Sequence, residues 1–366
     1  MTEEKPLYEQ DAESTAADPD STPIGERKVF TQPYDLGVDA LMRQIQEGVI
    51  FLRPLSQRPN FQRKYVWSDV LASRLIESIL LNVPIPPCYL SQNEDFELDV
   101  IDGQQRLFSI YRFMDNQFPL RGLEVLKDLN DSRFFMLPAR LQRQMSTHTL
   151  RCVLITNESH PEIKFEVFER LNSNTAPLNA QELRNCVYRG ALNELLQEVV
   201  TNPRWLDILR KRSPDKRMRD EELALRFFAF QLEGKASYRT PLKLWLNSAA
   251  KAGRTLNTAK IDSLRCTWND ALKASLEWFT PLECFRRAPF GDFKAVNRAV
   301  FDLVMNMAAS MDVRQASSIR NEVRKRYVQL CRDGEFSDLI SRAVDHKKRT
   351  DRRFEIWDER FSDLIS

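Results

Sequence analysis

The spacing of apolar residues divides the chain into two parts of different character. Up to about residue 190, short alternating or apolar runs typical of strands lie between segments with apolar residues every three or four positions. Beyond Gly190 the strand signals fade, and helical spacing continues to about residue 345. The pattern therefore predicts an α+β fold, in which a domain with a small mixed sheet and helices is followed by an all-α domain.

Local signals place individual elements within the first part. Helices are predicted to begin at Val38, Ser68, Gln104 and Asn179, with another over 161–171. Strands are predicted at 50–52, 88–90, 96–101 and 150–155, where apolar residues are concentrated. The buried face of the helix after Ser68 is predicted to contain Val70, Leu71, Leu75, Ile76, Ile79 and Leu80.

Composition along the chain suggests three segments. Residues 1–25 are rich in Glu, Asp, Ser, Thr and Pro and poor in large apolar residues, which is typical of disorder. We therefore expect a disordered acidic tail over 1–25, a mixed domain over 26–200 and a helical domain over 201–366. A chain of 366 residues with 42% hydrophobic residues can form two such cores.

The predicted strand over 96–101 runs into Asp102-Gly103, and helical spacing starts at Gln104. Such a junction points the free N–H groups of the first helical turn, and the positive end of the helix dipole, at one place. Arg106 lies one turn inside the helix, and its planar guanidinium group suits a phosphate or a carboxylate. The junction therefore predicts an anion site, where Asp102 could cap the helix or hold a metal ion.

A purely structural interpretation fits the same residues. Asp102 could be only an N-cap, with Arg106 as its salt-bridge partner four residues later. Gln104 and Gln105 could bind a nucleotide or orient water, as a glutamine does in some GTPases, or could simply begin a solvated helix. Spacing alone leaves both interpretations open.

Composition also limits the classes of function. With 54 Lys and Arg against 52 Asp and Glu, the net charge of +2 gives no strong global field, so nucleic-acid binding would need a local basic patch. Apolar runs are too short for a membrane span, and the acidic N-terminus is unlike a secretory signal. Six scattered cysteines favour reduced thiols in the cytoplasm. Three histidines without neighbouring ligands argue against an HNH or zinc nuclease centre.

Charged segments elsewhere have two interpretations each. Arg63 and Lys64 lie in an aromatic loop and could add positive charge to the anion site, or the aromatic residues could only pin that loop to the core. The basic stretches at 204–219 and 346–353 could contact a DNA backbone or form solvated faces, since acidic residues interleave. In the segment 181–185, the polar residues could be ligands or capping and salt-bridge residues.

Three motifs, in this order and spacing, resemble the N-terminal domain of GmrSD-type modification-dependent restriction endonucleases. They are FQRKYVW at 61–67, VIDGQQRL at 100–107, and FERLN at 168–172 followed by PLN at 177–179 and QELRN at 181–185. Pro86-Pro87 before a strand also fits, and the resemblance covers roughly residues 30–200. After Asn172 the chain departs from the pattern, because Ser173-Asn174-Thr175 replaces a turn that is often glycine-rich, and side chains there stand in place of bare backbone.

The resemblance implies a ParB/sulfiredoxin-like fold, in which a strand–Asp-Gly–helix junction binds phosphates. It further implies NTP binding, and probable NTP hydrolysis, in a component of a prokaryotic restriction or antiviral defence system that acts against foreign DNA. In such systems the nuclease centre is usually a separate HNH domain or subunit, so DNA and a nuclease subunit are the expected partners. The identity of the nucleotide and the oligomeric state stay open.

The expected site residues follow from the motifs and the resemblance together. The catalytic residues are expected to be Asp102, Gln104, Gln105 and Arg106, and the phosphate-binding residues Arg63, Lys64, Gly103, Arg106 and Asn172. A magnesium ion, if one is used, would be held by Asp102. Two other functions remain: a DNA-binding or sensing module that hydrolyses nothing, and a phosphodiesterase that acts on DNA at the same junction.

Overall fold

The computed structural model describes residues 7, 29–52, 67–93, 96–159, 167, 179–288 and 295–365. The chain forms two compact units, one of residues 25–179 and the other of residues 180–366 together with 1–24. The predicted disordered tail lies outside the described residues apart from Leu7, which is buried in the core of the second unit. The domain boundary at residue 200 stays a prediction, because compactness does not show which segments fold independently.

The unit of residues 25–179 is built on a mixed sheet. Its strands are β1 (Thr31–Pro33), β2 (Leu36–Gly37), β3 (Ile50–Phe51), β4 (Cys88–Gln92), β5 (Leu98–Asp102), β6 (Thr149–Leu150) and β7 (Cys152–Ile155). Five of them form the main sheet in the order β1-β7-β4-β5-β3, while β2 and β6 form a separate antiparallel pair. Strand β4 is parallel to β7 and antiparallel to β5, so the central strands join both pairing modes.

The described residues of this unit also form four α-helices. They are α1 (Val38–Gln46), α2 (Asp69–Leu80), α3 (Gln104–Met114) and α4 (Ala139–Thr147). Ser68 caps α2 as predicted, since its Oγ accepts a hydrogen bond from the N–H of Leu71 at 3.3 Å. The predicted buried face of α2 is wrong at Val70 and Leu71, which are 40% and 49% exposed. Val70 lies opposite Gly122, which has no side chain to cover it.

In the second unit the described residues form helices and turns without a β-strand. The helices are α5 (Ala180–Val187), α6 (Ala191–Val199), α7 (Pro203–Leu209), α8 (Arg219–Glu233), α9 (Leu242–Gly253), α10 (Thr258–Trp278), α11 (Arg298–Ala308), α12 (Val313–Ser318), α13 (Arg320–Leu330), α14 (Gly334–Leu339) and α15 (Lys347–Phe361). The predicted fold class, a small mixed sheet with helices followed by a helical region, is therefore confirmed. Among the described helices, none is long and apolar enough to cross a membrane.

Buried charges tie the helices of the second unit together. The Arg226 guanidinium on α8 holds both oxygens of Asp302 on α11, with Nε 3.1 Å from Oδ1. Arg353 on α15 reaches Asp302 from another side, with Nη2 3.4 Å from Oδ2. All three side chains are at most 1% exposed. Because each buried charge has an opposite partner, the cluster fixes how three helices meet.

Candidate functional site

The strand–turn–helix junction predicted from the sequence is present in the sheet unit. Strand β5 ends at Asp102, α3 begins at Gln104, and Gly103 between them has a φ of +99°. A Cβ atom on Gly103 would lie 2.4 Å from Sγ and 2.9 Å from Cβ of Cys88. Glycine is therefore required here for two reasons. It adopts this backbone conformation without strain, and there is no room for a side chain.

The N-terminus of α3 has no side-chain cap. Gly103 occupies the N-cap position and makes no side-chain hydrogen bond there. The expectation that Asp102 could cap the helix is wrong, because its carboxylate turns to Arg106 instead, with Nη2 2.5 Å from Oδ2. Since no carboxylate caps the first turn, no side-chain charge at the N-cap offsets the positive end of the α3 dipole.

Arg106 is anchored on three sides. Besides the pair with Asp102, its Nη1 donates to the carbonyl oxygen of Pro86, and its Nη2 donates to that of Pro87 at 3.3 Å. The Arg106 side chain is 14% exposed and that of Asp102 is 39% exposed. The guanidinium thus joins α3, the end of β5 and the segment that leads into β4. The structure therefore contains the predicted salt bridge between Asp102 and Arg106. Solvent can still reach this charged pair.

Gln104 carries a buried donor without a partner. Its side chain is half-buried, and its Nε2 has no hydrogen-bond acceptor among the residues that the structure describes. Leaving a buried donor unpaired costs about 1–3 kcal/mol. An unpaired amide donor at the start of an uncapped helix is suited to bind an acceptor from outside the protein, such as a phosphate oxygen. Gln105, the next residue, is half-buried.

The remaining expected site residues cannot be placed against this junction. Arg63, Lys64 and Asn172 lie outside the described residues, so their meeting with Asp102 and Arg106 in one concave site stays a prediction. The magnesium expectation stays a prediction. No group of three or more His, Cys, Asp or Glu side chains is placed there to hold a metal ion, and Asp102 already has Arg106 on one oxygen.

The polar motif at 181–185 is structural. Gln181, Glu182, Arg184 and Asn185 are each at most 2% exposed, inside the helical unit. Arg184 Nε donates to Asn247 Oδ1 at 2.9 Å, and its Nη1 lies 3.0 Å from Glu222 Oε2. Asn185 Nδ2 donates to Glu221 Oε2 at 2.7 Å, and Glu182 pairs with Arg217 at 3.2 Å. These residues therefore hold α5 against its helical neighbours, which is the salt-bridge role rather than the ligand role.

Many of the basic residues considered for DNA are also paired. Lys211 and Arg219 both bind the buried carboxylate of Asp215, the latter at 2.8 Å. Arg349 pairs with Asp338 and Arg352 with Glu335, each at 2.7 Å. Arg212 and Lys216, in contrast, are exposed. Only part of each basic stretch is thus available to a phosphate backbone.

Cys88 was missed by sequence reasoning. Nothing in the pattern around 88–90 marks it as more than the start of a strand, yet its sulfur lies against the Gly103 turn. A partial signal existed in the two prolines just before it, which belong to the family resemblance and whose carbonyl oxygens bind Arg106. Contacts between segments about twenty residues apart are not encoded in local spacing.

The mixed sheet and the strand–Gly–helix junction can now be compared with known families. Residues 39–189 match the family described as GmrSD restriction endonuclease, N-terminal domain. The resemblance drawn from the three motifs is confirmed over this range. The matched range contains the whole β5–α3 junction and ends just after α5. No curated protein and no solved structure matches the chain.

Proposed function

We propose that this protein is the nucleotide-binding component of a DNA restriction system, and that it holds the phosphates of an NTP at the β5–α3 junction. The observation that carries the proposal is the turn at Gly103. It combines a backbone conformation and a close packing that only glycine allows with an uncapped helix N-terminus. The match to the GmrSD N-terminal domain family supports the restriction context.

The described residues supply three kinds of anion contact. The first backbone N–H groups of α3 and the positive end of its dipole lie at the junction without a side-chain cap. The unpartnered Nε2 of Gln104 adds a neutral donor from the same turn. Arg106 adds a full positive charge that is held in place by the carbonyl oxygens of Pro86 and Pro87. Arg63, Lys64 and Asn172 are proposed to complete the phosphate site.

Asp102 and Arg106 have complementary tasks in this proposal. A bare carboxylate beside a triphosphate would repel it, but the Arg106 charge 2.5 Å away offsets that repulsion. Asp102 remains 39% exposed, so its second oxygen can orient a water molecule. Hydrolysis, where it occurs, is then mainly electrostatic: donors at the junction stabilise the charge that develops on the phosphoryl group, and Asp102 or a glutamine positions the attacking water.

DNA and a separate nuclease subunit are the proposed partners. Within the described residues, the three-ligand groups that a metal-dependent nuclease centre would use are not found. The family description names a restriction endonuclease of which the matched domain is one part. We therefore place DNA cleavage in a partner and nucleotide-dependent control in this chain.

The test is phosphate release from purified protein with each NTP, with and without magnesium, and then with DNA. Release that depends on Asp102 supports the proposal. A salt-sensitive DNA complex without turnover would instead support a sensing module. Plasmid nicking by the chain alone, lost in Asp102→Ala, would assign a phosphodiesterase to the junction.

Titration calorimetry on Arg106 variants measures the phosphate contact directly. Loss of a charge-assisted contact costs about 1.5–3 kcal/mol, so Arg106→Ala should bind the nucleotide about 10- to 100-fold more weakly. Arg106→Lys keeps the charge but loses the planar fork and should not restore full affinity. Arg112→Ala is the matched control. Arg112 lies on the same helix but binds Asp69 at 3.2 Å, away from the junction. Undiminished nucleotide binding in folded Arg106→Ala would refute the role of Arg106.

A further inference from the structure

Two buried thiols lie side by side in the sheet, and one of them lies against the junction. Cys88 begins β4, Cys152 begins β7, and the two residues are direct partners in the parallel pairing of these strands. The two residues are 2% and 1% exposed, both thiols are free, and the Cys88 sulfur lies against the Gly103 turn. Neither residue belongs to the proposed nucleotide contacts, so the pair needs a separate explanation.

The backbone geometry suits a bridge between them. Neighbouring strands lie about 4.8 Å apart, and residues in direct register across them have Cα atoms near that separation. Disulfides span Cα–Cα distances of about 4.4–6.8 Å. Because the two residues are in register on neighbouring strands, their side chains lie on the same face of the sheet. A disulfide can therefore close with little movement of either strand.

The two thiols differ in their surroundings. The interaction with Cys152 lowers the pKa of Cys88 against the opposing effect of burial, the nearby Arg106 charge lowers it further, and the Asp102 charge raises it. Cys88 is also the thiol that lies against the turn between Asp102 and Arg106. Because the thiolate is the form that reacts with oxidants, we assign the reacting role to Cys88.

We propose that Cys88 and Cys152 form a reversible disulfide with hydrogen peroxide, and that this disulfide weakens the anion site above it. The Cys88 thiolate attacks one peroxide oxygen, the O–O bond breaks, and hydroxide leaves, which gives a sulfenic acid on Cys88. The sulfur of Cys152 then attacks the sulfur of Cys88 and the sulfenic oxygen leaves as water. In total, two thiols and one hydrogen peroxide give one disulfide and two waters. A small oxidant is required because both sulfur atoms are buried.

The bridge would act on the site through Gly103. The Cys88 sulfur fills the space that a Gly103 side chain would need, so it supports the turn from below. An S–S bond of about 2.05 Å requires the Cys88 sulfur, which lies against the Gly103 turn, to move toward Cys152. That movement draws the Cys88 side chain toward β7 and away from its position against the Gly103 turn. Asp102 and Arg106, on either side of Gly103, would then lose the arrangement that the nucleotide proposal requires.

The experiment compares reduced full-length protein with protein treated with hydrogen peroxide. Peptide mapping by mass spectrometry without reductant locates any disulfide, and hydrogen exchange follows the backbone amides of 103–107. Nucleotide affinity is measured in parallel with the NTP that binds the reduced protein. Cys152→Ser, which keeps a hydrogen-bond donor beside Cys88, removes the resolving thiol. Cys266→Ser removes an exposed thiol of the helical unit and is the matched control.

The expected result is a Cys88–Cys152 disulfide in the wild type and in Cys266→Ser but not in Cys152→Ser. Exchange of the 103–107 amides should become faster, and nucleotide affinity should fall by about fivefold or more, both restored by a thiol reductant. Absence of the disulfide at millimolar peroxide overturns the inference, as does a disulfide that leaves exchange at 103–107 unchanged. The effect on nucleotide rests on the proposed function. If reduced protein binds no NTP, that function fails, and the mass and exchange measurements still decide this inference.

Discussion

The paired charges of the two units differ in how far solvent reaches them. At the junction of the sheet unit, the Arg106 and Asp102 side chains are 14% and 39% exposed and form a pair that solvent reaches. In the helical unit, Arg226 and Asp302 are 1% and 0% exposed and join helices far apart in sequence. Charges that solvent can reach are available to a ligand, whereas buried charges are already paired with one another. The contrast shows that the degree of burial does not by itself locate a functional site.

The buried carboxylates of the two units show the same contrast. Burial raises the pKa of Glu77 in the sheet unit, but the N–H groups of Leu126, Val125 and Glu124 outweigh it and leave the pKa below its usual value. Burial raises the pKa of Glu221 in the helical unit to about 8, although Asn185 opposes this with a hydrogen bond. Backbone donors keep one carboxylate charged, whereas the other is protonated at neutral pH. Both arrangements are structural.

The largest expected effect is on the free energy of unfolding when the buried cluster of Arg226, Arg353 and Asp302 is broken. Asp302→Ala would leave Arg226 and Arg353 buried without this partner and should lower the free energy of unfolding by about 3–5 kcal/mol. Asp358→Ala is the control, because its pair with Lys235 is about half exposed and should cost less than about 1 kcal/mol. Chemical denaturation measures both. If Asp302→Ala unfolds no more easily than Asp358→Ala, the buried network does not stabilise the helical unit.

The second prediction concerns the turn at Gly103. Gly103→Ala forces an L-residue into a left-handed conformation, at about 1–3 kcal/mol, and drives its Cβ into Cys88. We expect lower stability and a loss of nucleotide affinity of about tenfold or more. Gly48→Ala is matched in strain, with a φ of +78°, but has nothing within 4 Å of the new Cβ. Calorimetry should show normal nucleotide binding for folded Gly48→Ala. Equal binding by both variants would contradict the role of this turn.

Structural features that depend on neighbouring residues in the chain could be predicted from the sequence, and features that depend on distant residues could not. The cap at Ser68, the turn at Gly103 and the start of α3 were predicted because each depends on neighbouring residues. The exposure of Val70 depends on a glycine about fifty residues away and was not predicted.

The same limit applies to the site. Asp102 and Arg106 were found by motif and spacing, and the choice between cap and salt bridge needed coordinates. The burial of 181–185 was left open, because a helical pattern of polar residues does not show which other helices cover it. Cys88 reaches Gly103 only because β4 pairs with β5, which is a property of the sheet and not of either segment.

A third, smaller effect concerns the pH dependence of the helical unit. The pKa of Glu221 is about 8 in the folded protein, above its ordinary value of 4.5, because of burial and the neighbouring Asp220 and Asp215 charges. A raised folded pKa means that the stabilising contribution is fully present below about pH 4.5 and is lost as the pH rises through 8. Glu221→Gln should remove this slope, which for one carboxyl is at most about 1.4 kcal/mol per pH unit.

Denaturation at pH 7–8 follows mainly the Glu221 contribution, because Asp220, whose burial raises its pKa to about 6, is mostly ionised there. The variant should be more stable than the wild type at pH 8, with the difference shrinking as the pH falls. The junction variants Arg106→Ala and Arg106→Lys should keep the wild-type slope. An unchanged slope in Glu221→Gln would show that this carboxyl is already ionised in the folded state.

The smallest expected effect asks whether exposed cations of the helical unit meet DNA. Arg212 and Lys216 are exposed, whereas Lys211 and Arg219 in the same stretch are bound to Asp215. If this face contacts a DNA backbone, replacing Arg212 and Lys216 with alanine should reduce the slope of log affinity against log salt by about 2, since each phosphate contact contributes about 0.9. Stability should change by less than about 0.5 kcal/mol, because surface substitutions rarely do more. Arg219→Ala should behave in the reverse way, with a stability loss because buried Asp215 keeps only Lys211 as its ion-pair partner, and little change in the salt slope. An unchanged slope in the double variant would place DNA elsewhere on the protein, and would leave this basic stretch as a solvated face around one buried carboxylate.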